Sequence, residues 1–160
     1  DLRSSEKNLQ LYHQLSGRAG RAGKPATVYF QTYDLKSKTI NQIVNQDPFN
    51  FLENELEIRK KYTLPPYERF IAIIVTASNE KKLIDFSNEL KNYLSKKISG
   101  KILGPVQAPI YKIKKKYRNR LLIRASKSMT IQNNLSKALK NFKIQPEIKL
   151  KVDVDPISFN

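Results

Sequence analysis

The chain has 160 residues, and 30 Lys and Arg against 14 Asp and Glu give it a formal charge of +16. That length allows one ordinary domain plus a smaller unit, and 39% hydrophobic content excludes a disordered tail. The absence of cysteine excludes disulfides and thiolate metal sites, and no apolar run nears the roughly 20 residues that span a bilayer.

Residues 1–35 read as a polar helix, a glycine turn and a strand at 27–33 (TVYFQTY). Leu9, Tyr12 and Leu15 fall at helical spacing until Gly17 ends the pattern. Residues 36–66 predict two helical segments, SKTINQIVNQ and FNFLENELEIRKKY. Asp47 suits the N-cap of the second and Pro48 its first helical position, with Phe49, Leu52 and Leu56 as the buried stripe. Phe51 is also expected in the core. Pro65-Pro66 closes this connector, because two prolines hold the backbone extended. Tyr33, Tyr62 and Tyr67 are expected to be packing residues between the parts on either side of it.

From Phe70 the predicted order is strand, helix, strand, strand, helix, strand. FIAIIVTAS (70–78) is apolar on both faces, as a central strand is. Residues 80–97 carry Leu83, Phe86, Leu90 and Leu94 on one helical face. KILGPVQAPIYKIKK (101–115) is extended but interrupted by Gly104, Pro105 and Pro109, the mark of an edge strand. RNRLLIRA (118–125) follows a short turn, and Ile131, Leu135, Ala138, Leu139 and Phe142 make a second helical stripe. EIKLKVDVD (147–155) alternates, with Ile148, Leu150, Val152 and Val154 inward and the lysines and aspartates outward. This order fits a four-stranded antiparallel sheet with both helices on one face, the split βαββαβ (ferredoxin-like) class of α/β (α+β) fold.

Charge is distributed unevenly. From Leu90 through Pro146 there is no Asp or Glu, while fifteen Lys and Arg fall in that window. A lysine-rich genome raises the sum of charge without any binding, but it does not clear out the acids. The field favours a polyanion. Lys112, Lys114, Lys115, Lys116, Arg118, Arg120 and Arg124 cluster around one strand-turn-strand, with Tyr111 and Tyr117 interleaved. Arg118, Arg120 and Arg124 share a strand face and make a row able to follow phosphates, and a nearby tyrosine can stack on an unpaired base. The competing reading is a solvated lysine hairpin that protects a sheet edge.

QLSGRAGRAG (14–23) holds Gln14, Gly17, Arg18, Gly20 and Arg21 in the pattern Gln-x-x-Gly-Arg-x-Gly-Arg. A guanidinium stays protonated and grips two oxygens at once, which suits a transferring phosphoryl group. Small residues between the arginines let the backbone approach a nucleotide. The plainer reading is a basic turn after a helix.

The octet resembles the sixth motif of superfamily 2 helicases. Together with ELEIRKKYTLPPYERF, ILGPVQAPIYKIKKKYRNRLLIR and the closing VDVDP, it is similar to the C-terminal part of the PriA (primosomal protein N′) family of replication-restart helicases. That resemblance implies that residues 1–46 end a second, RecA-like helicase lobe, that 47–67 form a helical connector, and that 68–160 form a ribosomal-protein-like DNA-binding domain. It makes Arg18 and Arg21 the ATP-contacting arginines, Gln14 their coupling to the lobe interface, and Gly17 and Gly20 the frame. It places ATP and Mg2+ binding, and zinc, in the intact protein on parts upstream of Asp1, so the segment alone is expected to be inactive. The implied partners are branched and single-stranded DNA, single-stranded DNA-binding protein (weakly through Lys127) and primosome proteins, for a cytoplasmic, nucleoid-associated monomer.

A standalone RNA- or ribosome-binding module is the alternative, but it has no use for the arginine octet. A membrane-surface role fits poorly, because the cations lie on strands. His13, the single histidine, has no partner for metal binding and reads as a surface or packing residue. Asp153 and Asp155 read as terminal structure, pairing with Lys149 or Lys151.

Overall fold

The structure, a computed structural model, describes residues 3–19, 27–45 and 48–157, with the side chains of Thr39 and Ile43 left aside. The chain divides into two compact units, residues 1–61 and 62–160.

Among the described residues the first unit contains three helices, α1 (Ser4–Ser16), α2 (Lys38–Val44) and α3 (Pro48–Lys61). Pro48 does open α3, while the proposed cap Asp47 lies outside the described residues. The apolar stripe on α3 departs from expectation. Phe51 is the residue that is buried, against Leu9 of α1 and the flank of Tyr12, while Phe49, Leu52 and Leu56 are exposed. Two buried side chains cannot cover a whole helical face, so most of α3's apolar residues stay in solvent. Arg59 ties α3 to α1 instead through Glu6 at 2.7 Å, while Glu55 of its own helix holds it at 3.0 Å.

The segment 27–33 is not a strand. Val28, Phe30 and Thr32 are half-buried and Tyr29, Gln31 and Tyr33 exposed, so the alternation is real. No described segment pairs with it, however, and extended backbone becomes a strand only through such pairing. Tyr33, Tyr62 and Tyr67, expected to pack, are exposed as well.

The second unit has β1 (Arg69–Ala77), α4 (Glu80–Ser95), β2 (Lys101–Ile113), β3 (Lys116–Ala125), α5 (Met129–Lys140) and β4 (Lys149–Val154). The sheet order is β2-β3-β1-β4 and every pairing is antiparallel. The interrupted strand β2 and the short β4 are the edges, as their sequences predict. Asn79 starts α4 by accepting from the Lys82 N–H at 3.0 Å, and Ser128 does the same for α5 through Thr130.

One sheet face carries Ile71, Ile73 and Val75 of β1 beside Leu121, Ile123 and Ala125 of β3. Leu83, Phe86, Leu90 and Leu94 from α4 and Ile131, Leu135, Ala138 and Phe142 from α5 close over it in a single core. Each fully buried Leu or Ile there contributes about 1.5–3 kcal/mol. On β4 the inward face is as predicted, but Val152 and Val154 remain 40% and 37% exposed. At an edge strand the covering helices end before the sheet does. Asp155 lies 3.3 Å from Arg69 Nε rather than beside a lysine, close enough for attraction but without hydrogen-bond geometry.

Candidate nucleic-acid interface

The β2–β3 hairpin carries most of the cations named from sequence. Ile113 and Lys116 form its last pair, leaving Lys114-Lys115 as a two-residue turn. Both have positive φ, 47° and 63°, which is the type I′ turn that normally takes Asn-Gly. A lysine in this region costs about 1–2 kcal/mol. The hairpin thus holds two exposed ammonium groups at its tip on strained backbone.

Beyond the turn, strand alternation separates the cluster onto two faces. Tyr117 sits on the helix-covered face and packs with Tyr111 against the core, ring centroids 5.5 Å apart. The Tyr111 hydroxyl donates to Glu80 at 2.6 Å, and that carboxylate holds the phenol above its ordinary pKa. Lys112 lies over the Tyr117 ring at 4.5 Å and donates to its hydroxyl at 3.0 Å, a bond that raises the ammonium's pKa. These tyrosines brace the hairpin against α4. They are not on the side where the arginines stand.

Arg118, Arg120, Leu122 and Arg124 occupy the face opposite the helices, with Arg118 and Arg120 half-buried. Arg118 reaches the Ile110 carbonyl at 3.5 Å, a long bond that leaves most of its donors unused. Arg124 is engaged within the domain. It donates to Glu68 at 2.8 Å and to the carbonyls of Tyr62 (3.3 Å) and Thr63 (2.9 Å), and it lies over the Phe70 ring. It therefore clamps the segment around Pro65-Pro66 to the sheet.

Sequence reasoning left two lysines out of this face. Arg118 and Lys149 both register with Thr76, and Arg120 and Lys151 both register with Ile74. Two rows of cations thus run along β3 and β4 with β1 between them, about 10 Å apart and stepping about 6.6 Å along each strand. Lys149 and Lys151 are exposed. Their alternation in 147–155 was the available signal, once β4 is known to lie beside the central strand.

In the first unit, Gly17 caps α1 in ordinary right-handed backbone, φ −68° and ψ −12°. Arg18 follows in a turn, its N–H donating to the Leu15 carbonyl at 3.2 Å and its side chain exposed. Gln14 is exposed and lines a groove of about 430 Å³ with Glu6, Leu9, His13 and Leu52. Gly20 and Arg21 lie outside the described residues. Among the described residues no group of three or more His, Cys, Asp or Glu could hold a metal, and no helix is long and apolar enough to cross a membrane.

Residues 60–157 match the family described as primosomal protein N C-terminal domain. The chain belongs to the PriA family, as its C-terminal part. The replication restart protein PriA of Rickettsia conorii is 38% identical over 159 residues, covering 99% of this chain and 24% of the relative. Those of Bacillus subtilis and Chlamydia pneumoniae are 33% and 30% identical, covering 98% and 99% of this chain and 20% and 21% of theirs. The chain therefore spans about a quarter to a fifth of the length of the PriA relatives it matches. The family match takes in the whole four-stranded sheet and both of its helices, including the two cation rows.

Proposed function

We propose that this chain is the C-terminal part of an ATP-dependent DNA helicase that restarts replication at stalled forks. Residues 1–46 complete its second, RecA-like lobe, 47–67 form the connector, and 68–160 bind branched and single-stranded DNA. The observation that carries the DNA role is the pair of cation rows, Arg118 and Arg120 on β3 and Lys149 and Lys151 on β4, with Lys114, Lys115 and Lys116 at the β2–β3 turn beyond the β3 row. Regularly spaced cations on a rigid sheet suit regularly spaced phosphates, and they position a duplex or strand without reading its sequence. Arg124, tied to Glu68, contributes by holding the domain's entry segment in place.

Arg18 fits a nucleotide-facing role, because its guanidinium is exposed and hydrogen-bonds to no described residue. ATP with Mg2+, bound by the rest of the protein, supplies the polarised phosphates. Arg18 and Arg21 offer charge-matched donors to them, and Gln14 stands near the end of α1, four residues before Arg18. Primosome proteins and single-stranded DNA-binding protein are the partners this reading carries with it, in a bacterial cytoplasmic setting.

The test is fluorescence anisotropy of the 160-residue chain with a forked DNA and with an RNA hairpin of equal length. Arg118→Gln/Arg120→Gln should weaken fork binding by about tenfold, as expected for two lost solvent-screened ion pairs with phosphate. Preference for RNA, or an unchanged affinity for the fork in a folded variant, would transfer support to the RNA-binding module.

A further inference from the structure

On the other side of the sheet, a groove of about 420 Å³ opens between α4 and β2. It exists because β2 leaves its regular pairing there. The register shifts between Leu103 and Val106 and again between Gln107 and Lys112, so residues 108–111 lie opposite Arg118 alone. Gly104 makes the first shift possible: at φ +94° a Cβ would meet the Arg120 carbonyl oxygen at 2.7 Å.

The lining is unusual for a core-side groove. Asn88 of α4, Gln107 of β2 and Asn119 of β3 bring three carboxamides together, with Lys91, Tyr111 and Pro105 beside them. Asn119 is 5% exposed and stands between Val75 and Gln107 on the helix-covered face. Its amide nitrogen donates to Ser87 Oγ at 3.4 Å, the long limit for such a bond, and Ser87 in turn donates to the Leu83 carbonyl at 2.6 Å. Among the described residues the Asn119 carboxamide oxygen accepts no hydrogen bond. That oxygen is not among the buried polar atoms left without a partner, so it opens to the solvent of the groove. An under-bonded carboxamide at the base of a groove is suited to a ligand's donor and acceptor.

We propose that this groove binds an unpaired nucleobase, adenine by preference, with the attached phosphate at Lys91. A carboxamide offers an N–H and a C=O side by side, the complement of adenine's N6/N7 edge. Tyr111 supplies an aromatic surface and Pro105 an apolar wall, the usual lining for a planar heterocycle. A peptide group would satisfy one carboxamide but would use neither the ring nor the ammonium. The inference does not depend on the phosphate-following face, which lies across the sheet.

The experiment titrates the 160-residue chain with adenosine monophosphate, and separately with inorganic phosphate, while the side-chain amide NMR signals of Asn88, Gln107 and Asn119 are followed. Affinities for dA and dT 15-mers are then compared. Adenosine monophosphate should shift those amides and phosphate alone should not. The dA strand should bind at least about fivefold more tightly than dT. Asn119→Leu, and the exposed-site variant Asn88→Ala, should abolish the dA preference and leave dT affinity unchanged. Amide shifts without a strand preference identify a free mononucleotide as the source of the base. No shift together with equal strand affinities overturns the proposal. Loss of binding to both strands with the amide shifts retained would count against the cationic face and leave the groove's assignment standing.

Discussion

Arg124 shows how a residue's chemistry depends on which neighbours its strand gives it. Sequence puts it in one row with Arg118 and Arg120, and the alternation of β3 does place all three on one face. What alternation does not contain is Glu68, drawn alongside by the turn after Pro66, or the two carbonyls of Tyr62 and Thr63. Arg124→Ala would leave a half-buried carboxylate and two carbonyls without their donor. It should cost about 1.5–3 kcal/mol, lowering the unfolding midpoint by several degrees. In the same calorimetric and binding measurements Arg118→Gln should show the reverse pattern, with little loss of stability and weaker DNA binding. Equal effects of the two substitutions on stability would show that the clamp is not where the energy lies.

At the scale of elements, strands and helices of the second unit were legible because one rule governed each. Residues 70–78 are apolar throughout and become the central β1; 101–115 carries two prolines and becomes an edge; 80–97 and 131–142 repeat apolar residues at helical spacing and cover one face. The misses share a cause. Residues 27–33 alternate correctly but no described segment pairs with them, and α3 presents Phe49, Leu52 and Leu56 with nothing described to cover them. Periodicity states which side of an element is apolar; it does not supply the surface that buries it. The hairpin turn expected between 115 and 118 falls instead at Lys114-Lys115, since two lysines give no turn signal at all. Its geometry makes a prediction with two opposed signs. Lys114→Asn/Lys115→Gly relieves both left-handed lysines and should raise the unfolding midpoint by a few degrees, while weakening forked-DNA binding. If affinity for the fork holds while stability rises, the lysines protect the hairpin from other chains and do no binding.

For the whole molecule, composition points to a polyanionic partner and the motif order to the family, yet neither places the second row of cations. The acid-free window 90–146 excludes the partners of Arg118 and Arg120 across the sheet, because Lys149 and Lys151 fall outside it in sequence. Folding restores them: β4 returns to the free edge of β1 and aligns its outward lysines with the arginines of β3. The tyrosines interleaved with those arginines in sequence are carried to the helix side, where Tyr111 lines the carboxamide groove. The result is a domain with a cationic sheet face and a polar groove on opposite sides, a division that a linear list of basic residues conceals.

The most direct measurement of the central claim is the salt dependence of forked-DNA binding, compared between the native chain and Arg118→Gln/Arg120→Gln/Lys149→Gln/Lys151→Gln. Each phosphate neutralised on a duplex arm adds about 0.9 to the slope of log affinity against log salt. If both cation rows follow phosphates, the slope of the folded variant should shrink by about 3.6. A variant that stays folded and keeps the native slope would place the DNA elsewhere on the molecule and contradict the account.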